Sequence, residues 1–317
     1  MNIFITGGAG YKGTVLIPKL LAEGHVVFCL DTFWFGDNLP QHRNLIRIQG
    51  DIRKIRSIPF NKEINTMIHL ASIANDPCSE LDPLLTWEVS CQSTYELAEF
   101  CVKNNVSKVI YASSGSVYGV KEEENVTEDL SLVPISPYNK TKICSEKILE
   151  AYSKKFSLTI IRPATVCGFS RRMRLDVAVN LLTMQALKNG RMTVLGGNQF
   201  RPNVHIQDVT DLYLFLIARP QLEGVFNCGF ENMTILSIAK LIQKYVEAEI
   251  IIKESNDPRS YRLDSQKLLN AGFSPRYTVD NAIEEIVKKY NSRELIDDDV
   301  FYNVNWMRRL MNEKVIF

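Results

Sequence analysis

The chain has 317 residues, 45% hydrophobic and 23% charged, with a net charge of +1. These are the proportions of an ordinary globular protein, long enough for one large α/β domain or two fused ones. So even a charge balance excludes a general attraction for nucleic acid or for an anionic membrane.

The chain starts MNIFITGGAG, with no basic segment followed by an apolar one, and no apolar run reaches the length of a membrane span. Strands are expected at Ile3–Thr6, Val26–Leu30, Leu45–Gln49, Thr66–Ala71, Lys108–Ser113 and Leu158–Arg162. Helices are expected near Lys12–Glu23, Pro83–Asn104 and Pro137–Lys155. This alternation reads as βαβ units and a doubly wound parallel sheet. The last two helices are apolar on more than one face, which predicts pairing with their copies in a homodimer. The pattern changes after the basic loop Ser170–Arg174, and 169–292 reads as a smaller α/β substrate-binding lobe. Part of 204–230 is expected to return to the first domain. The tail 293–317, acidic at Asp297-Asp298-Asp299, takes no assignment. Seven cysteines are scattered with no C-x-x-C pair, which fits reduced thiols and a cytoplasmic protein, with no disulfide frame and no metal set.

The first strand runs into Thr6-Gly7-Gly8-Ala9-Gly10-Tyr11-Lys12-Gly13. Glycines at 7, 10 and 13 permit a tight turn, close approach of backbone to a pyrophosphate, and close helix packing. The free N–H groups of the helix that follows favour an anion. Glycine turns also merely connect elements, but this one stands between a strand and a helix. Residues 1–168 therefore read as a Rossmann-type dinucleotide-binding domain. Asp31 ends the second strand, where a carboxylate takes the ribose hydroxyls and repels a 2′-phosphate, which selects NAD over NADP. Asp51-Ile52 either meets the adenine edge or caps a helix. Lys12 either reaches the pyrophosphate or points to solvent.

The strand at 108–113 delivers Ser113-Ser114-Gly115-Ser116, and Tyr138-Asn139-Lys140-Thr141-Lys142 follows. Tyr138 and Lys142 share a helix face. A nearby cation is expected to lower the phenol pKa, and Ser114 to hold the reacting oxygen. Together they form a base for alcohol oxidation. On an exposed helix such a pair means nothing; the upstream glycine turn gives it meaning.

With these motifs, and with His69–Ser72 and Arg162–Gly168, the chain resembles the extended short-chain dehydrogenase/reductase family, in the branch of NAD-dependent sugar-nucleotide epimerases and dehydratases, to about residue 290. The resemblance implies Tyr138 as base, Lys142 as its tuner and a ribose ligand, and Ser114 as the bridging hydroxyl. Leu70, Ala71 and Ser72 would lie along the cofactor, and Pro163 to Val166 near the nicotinamide. A nucleotide-diphosphate sugar would meet Ser114, Ser116, Asn180, Arg201 and Arg259. Guanidinium forks suit phosphate. The dehydratases of this family carry an Asp-Glu pair where this chain has Gly115-Ser116, and the decarboxylases keep a glutamate there. What remains is oxidation at a sugar carbinol, at C4: with re-reduction an epimerase, without it a dehydrogenase or ketoreductase. The stretch Arg172–Asp176 resembles a subgroup acting on modified sugars such as heptose nucleotides. A reading of another class is a non-catalytic NAD sensor, since fold alone does not make an enzyme. His69 and His205, in apolar strands, read as packed histidines.

Overall fold

The computed structural model describes residues 1–254 and 260–316. Its strands are β1 (Asn2–Thr6), β2 (Val26–Asp31), β3 (Leu45–Gln49), β4 (Thr66–His69), β5 (Lys108–Ala112), β6 (Ser157–Pro163), β7 (Thr165–Cys167), β8 (Arg191–Leu195), β9 (Phe200–His205), β10 (Gly224–Cys228), β11 (Glu231–Thr234) and β12 (Glu249–Lys253). Seven of them form one sheet in the order β10-β6-β5-β4-β1-β2-β3, and every pair in it is parallel. The order reverses between β1 and β4, which opens a crevice at their carboxyl ends.

Side chains that alternate along a strand feed opposite layers. Ile3 and Ile5 enter one core with Val27, Cys29 and Ile68, and Phe4 enters the other with Phe28, Leu30 and Met67. β4 and β5 are buried at every residue, as central strands covered on both faces are. Arg162 and Glu146, both buried, tie β6 to the helix Pro137–Ala151 through bonds of 3.0 and 2.7 Å.

Two small sheets, β11-β9-β7 and β12-β8, pack with the helices Ala178–Asn189, Ile235–Ile242 and Val279–Asn291 around a third core. The strand β10 returns to the edge of the large sheet. The tail does not hang free. Its helix Asn303–Asn312 buries Met307 and Leu310, and Ile316 beyond it, in the core that holds Phe4 and Phe28. Among the described residues, no helix is long and apolar enough to cross a membrane.

Candidate active site

A cavity of about 740 Å³ runs along the carboxyl ends of the sheet. At one end lies the glycine turn. A Cβ on Gly7, whose φ is +72°, would fall 2.6 Å from Ala71 N, and one on Gly13 would fall 2.6 Å from Gly8 Cα. Only hydrogen fits at these two positions. The floor they create is bare backbone facing the start of the helix Gly13–Ala22. The Asp31 carboxylate accepts from Ala9 N (2.8 Å) and Phe33 N (2.9 Å), which fastens the turn to β2. Burial pushes its pKa up, and those amide bonds oppose the shift. Gly7, Gly10, Tyr11, Lys12, Gly13, Asp31, Asp51, Ile52, Leu70, Ala71, Ser72, Pro163 and Val166 all line the cavity. A long groove with a glycine floor, a carboxylate at one end and an exposed helix start fits a dinucleotide.

Several side chains sit differently from expectation. The Tyr11 hydroxyl points away to Gly168 O (2.6 Å) and receives Asn180 Nδ2 (3.0 Å). Asn180, expected at the substrate diphosphate, is 0% exposed. Its carbonyl accepts from Gly168 N and its amide also donates to Arg174 O. With both side-chain polar atoms engaged, it brackets the Tyr11, Gly168 and Arg174 loops. Asp51 caps the short helix Ile52–Ser57 and accepts from Arg53 Nε (2.9 Å) and Nη2 (2.7 Å), while still bordering the cavity. Arg201 lines the cavity. Arg259 lies outside the described residues.

At the other end, Ser136 caps the helix Pro137–Ala151 and presents Tyr138 and Lys142 to the cavity. Ser114 lies beside Tyr138, and its side chain opposes the upward push of burial on the phenol. Ser114 and Ser116 share a bond of 2.7 Å, and Asn139 Nδ2 donates to Ser116 Oγ at 2.8 Å. Lys142 Nζ donates to Ala112 O (2.8 Å) and stands 5.7 Å from the Tyr138 ring centroid. The expected lowering of the phenol pKa is absent. Burial pushes Tyr138 up despite the opposing influence of Ser114. Burial, helped by the charge of Lys12, brings Lys142 down to about 7. In this cavity desolvation outweighs the pairing. Lys12 borders the same space, brought down to about 8 mainly by burial. His69 is packed, bonded to Thr6 (2.7 Å) and Thr94 (3.1 Å), and burial holds it down at about 3.

Residues that sequence reasoning missed complete the wall. Asn75 has φ 72° and ψ 161°, a region otherwise kept for glycine and costing about 1–3 kcal/mol. Its side chain holds it there, accepting from Cys78 N (2.9 Å) and donating to Asp176 Oδ2 (3.0 Å). Asp176 also pairs with Arg174 at 2.9 Å. Asp76, bonded to Ser136 Oγ, faces Tyr138. A chain-order reading gives no signal that the 75–76 loop meets the 174–176 loop. The only local cue is Asn-Asp-Pro as a turn sequence.

The sheet order and the glycine turn at its switch point define a dinucleotide-binding α/β protein of the Rossmann type. A model of the NAD dependent epimerase/dehydratase family matches residues 3–229, and the chain belongs to that family. It is 26% identical to a UDP-glucose 4-epimerase of Lactobacillus helveticus, over 92% of this chain and 98% of that one. It resembles the crystal structure of UDP-glucose 4-epimerase from Thermus thermophilus in complex with NAD, with TM-score 0.80, 25% identity, and 92% and 99% of the two chains covered. It also resembles an NAD-dependent NDP-hexosamine 5,6-dehydratase involved in tunicamycin biosynthesis, with TM-score 0.83, 27% identity, and 93% and 99% covered.

Proposed function

We propose that the protein is an NAD-dependent nucleotide-sugar epimerase that oxidises a sugar carbinol, at C4, and restores it on the opposite face. The single observation behind this is the Ser114–Tyr138–Lys142 set, which closes one end of a cavity whose other end is a glycine-floored dinucleotide groove. The names of the similar proteins support the substrate class. NAD, when bound, supplies the acceptor and later the donor of a hydride.

Tyr138 Oη takes the proton of the sugar hydroxyl. Ser114 Oγ, beside it, fixes the reacting oxygen, and Ser116, itself held by Asn139, holds Ser114 in turn. Lys142, as a cation, favours the phenolate and would hold the cofactor ribose. Gly115 and Ser116 offer no carboxyl group for dehydration at the place where the dehydratases carry their acid pair. Arg201 receives the diphosphate of the sugar nucleotide. In this reading residues 1–168 with part of 204–230 form the NAD domain, 169–292 mainly form the substrate lobe, and the working unit is a homodimer.

The test is incubation of the purified protein with UDP-, GDP-, CDP- and dTDP-sugars, following nicotinamide absorbance and product mass. An epimerase gives transient reduction and a product of unchanged mass. Lasting reduction with a product lighter by two hydrogens replaces this reading with a dehydrogenase. Silence with every sugar leaves a non-catalytic sensor.

A further inference from the structure

We propose that the C-terminal segment, from Asp298 to Ile316, is a fixed wall of the dinucleotide site that holds the cofactor in place, fastened by Trp306 and Asn303; this rests on the NAD reading above. Nothing in the sequence assigned this segment, and its place in the fold carries the argument.

The helix Asn303–Asn312 starts at the edge of the large cavity. Asn303 and Met307, one turn apart and so on one face, both border that cavity and are 3% and 2% exposed. Three bonds tie the segment to loops around the groove. Trp306 Nε1 donates to Trp34 O at 2.7 Å, in the loop that directly follows Asp31. Asn303 Oδ1 accepts from Arg172 Nη2 at 2.6 Å. Leu175 N donates to Phe301 O at 2.9 Å. Past the helix, Val315 and Ile316 border a smaller cavity that shares Thr32, Trp34, Gly50 and Asp51 with the large one. The tail therefore borders the end of the groove marked by Asp31 and Asp51. Tyr138 and Lys142 stand at the other end.

Arg172 gives the wall its chemistry. It is 3% exposed, lies 4.0 Å over the Phe35 ring, and borders the large cavity. Both acceptors it donates to, Met173 O (3.0 Å) and Asn303 Oδ1, are neutral. Its Nε is buried without a hydrogen-bond partner among the described residues. Arg174 already engages the Asp176 carboxylate, and the amides of Ala9 and Phe33 engage that of Asp31. A buried cation so weakly matched is unfavourable by itself and draws an anionic ligand to this wall. The diphosphate of a dinucleotide lying in the groove is such a ligand. Arg172, the loop 32–36 and the tail thus form an arch over the groove, and the dinucleotide leaves only if the arch parts. A slowly exchanging cofactor suits chemistry that restores its redox state within one cycle.

The experiment measures cofactor release from the full-length protein. Protein loaded with reduced dinucleotide is mixed with excess NAD, and the decay of nicotinamide fluorescence gives the off-rate. Trp306→Ala and Arg172→Met should each raise it by about tenfold, an effect expected mainly in dissociation. Trp306→Phe keeps the ring but loses the N–H, and should fall between wild type and Trp306→Ala. It also serves if the alanine variant fails to fold. Folded variants that all release at the wild-type rate would overturn the proposal while leaving the NAD reading intact. Wild-type protein that takes up no dinucleotide would overturn the NAD reading, and this wall with it.

Discussion

Lys142 Nζ stands 5.7 Å from the centre of the Tyr138 ring, yet its hydrogen bond goes to Ala112 O, at 2.8 Å. The two residues share a face, as their spacing requires, but burial penalises the charged form of each. The tyrosine is pushed up and the lysine comes down to about 7. Proximity alone does not make a low-pKa phenol. The balance between pairing and desolvation decides it.

Lys12 enters that balance. After burial, its charge is the next cause holding Lys142 down. Lys12→Met removes a like charge, so the Lys142 ammonium becomes easier to keep and its pKa rises above about 7. Cationic Lys142 is the form that favours the phenolate, so activity lost as pH rises through that pKa is lost later. The alkaline limb of the pH–rate profile should move to higher pH. A limb that stays in place would separate Lys12 from the site's electrostatics.

The pair Arg162–Glu146 carries a stability prediction. Glu146 is 0% exposed and Arg162 5% at the side chain. Arg162 also donates to Tyr118 Oη at 2.8 Å. Glu146→Ala leaves a buried guanidinium without its carboxylate, which costs about 3–5 kcal/mol. Urea unfolding should show a lower midpoint with little change in slope. A midpoint unchanged from wild type would mean that the Tyr118 bond and water suffice for Arg162.

The homodimer is tested on the surface of the run 83–103. Leu84 (70%), Trp87 (39%), Tyr95 (45%) and Val102 (37%) are exposed there. Several large apolar groups on one exposed helical run are what a face covered by a second copy would present. Sedimentation should find a dimer at micromolar concentration, and Tyr95→Glu with Val102→Glu should give a folded monomer. A wild-type monomer would contradict the expected pairing.

Much of this was legible in the chain. β4 and β5 were visible from the apolar residues at their centres, Met67-Ile68 and Val109–Ala112, and the glycine turn because its spacing has a steric cause. Element ends shifted: β4 stops at His69, two residues short of the expected end, and the helix from Pro137 stops at Ala151, four residues short. The residue type of Asn180 suits a diphosphate as well as a buried bracket, and its burial could not be read from the chain. The tail was illegible for another reason. Its contacts with Trp34 and Arg172 cross 272 and 131 residues of chain, and local pattern has no access to them. Asn75 gave no warning either, since asparagine rarely takes the backbone it adopts here.

Tyr138 as the base is tested most directly by single-turnover nicotinamide reduction on adding a nucleotide sugar, wild type against Tyr138→Phe. The variant should lose roughly 10²–10⁴-fold in the rate of hydride transfer, with dinucleotide affinity and thermal stability unchanged. A phenylalanine variant that reduces its cofactor at the wild-type rate would contradict it.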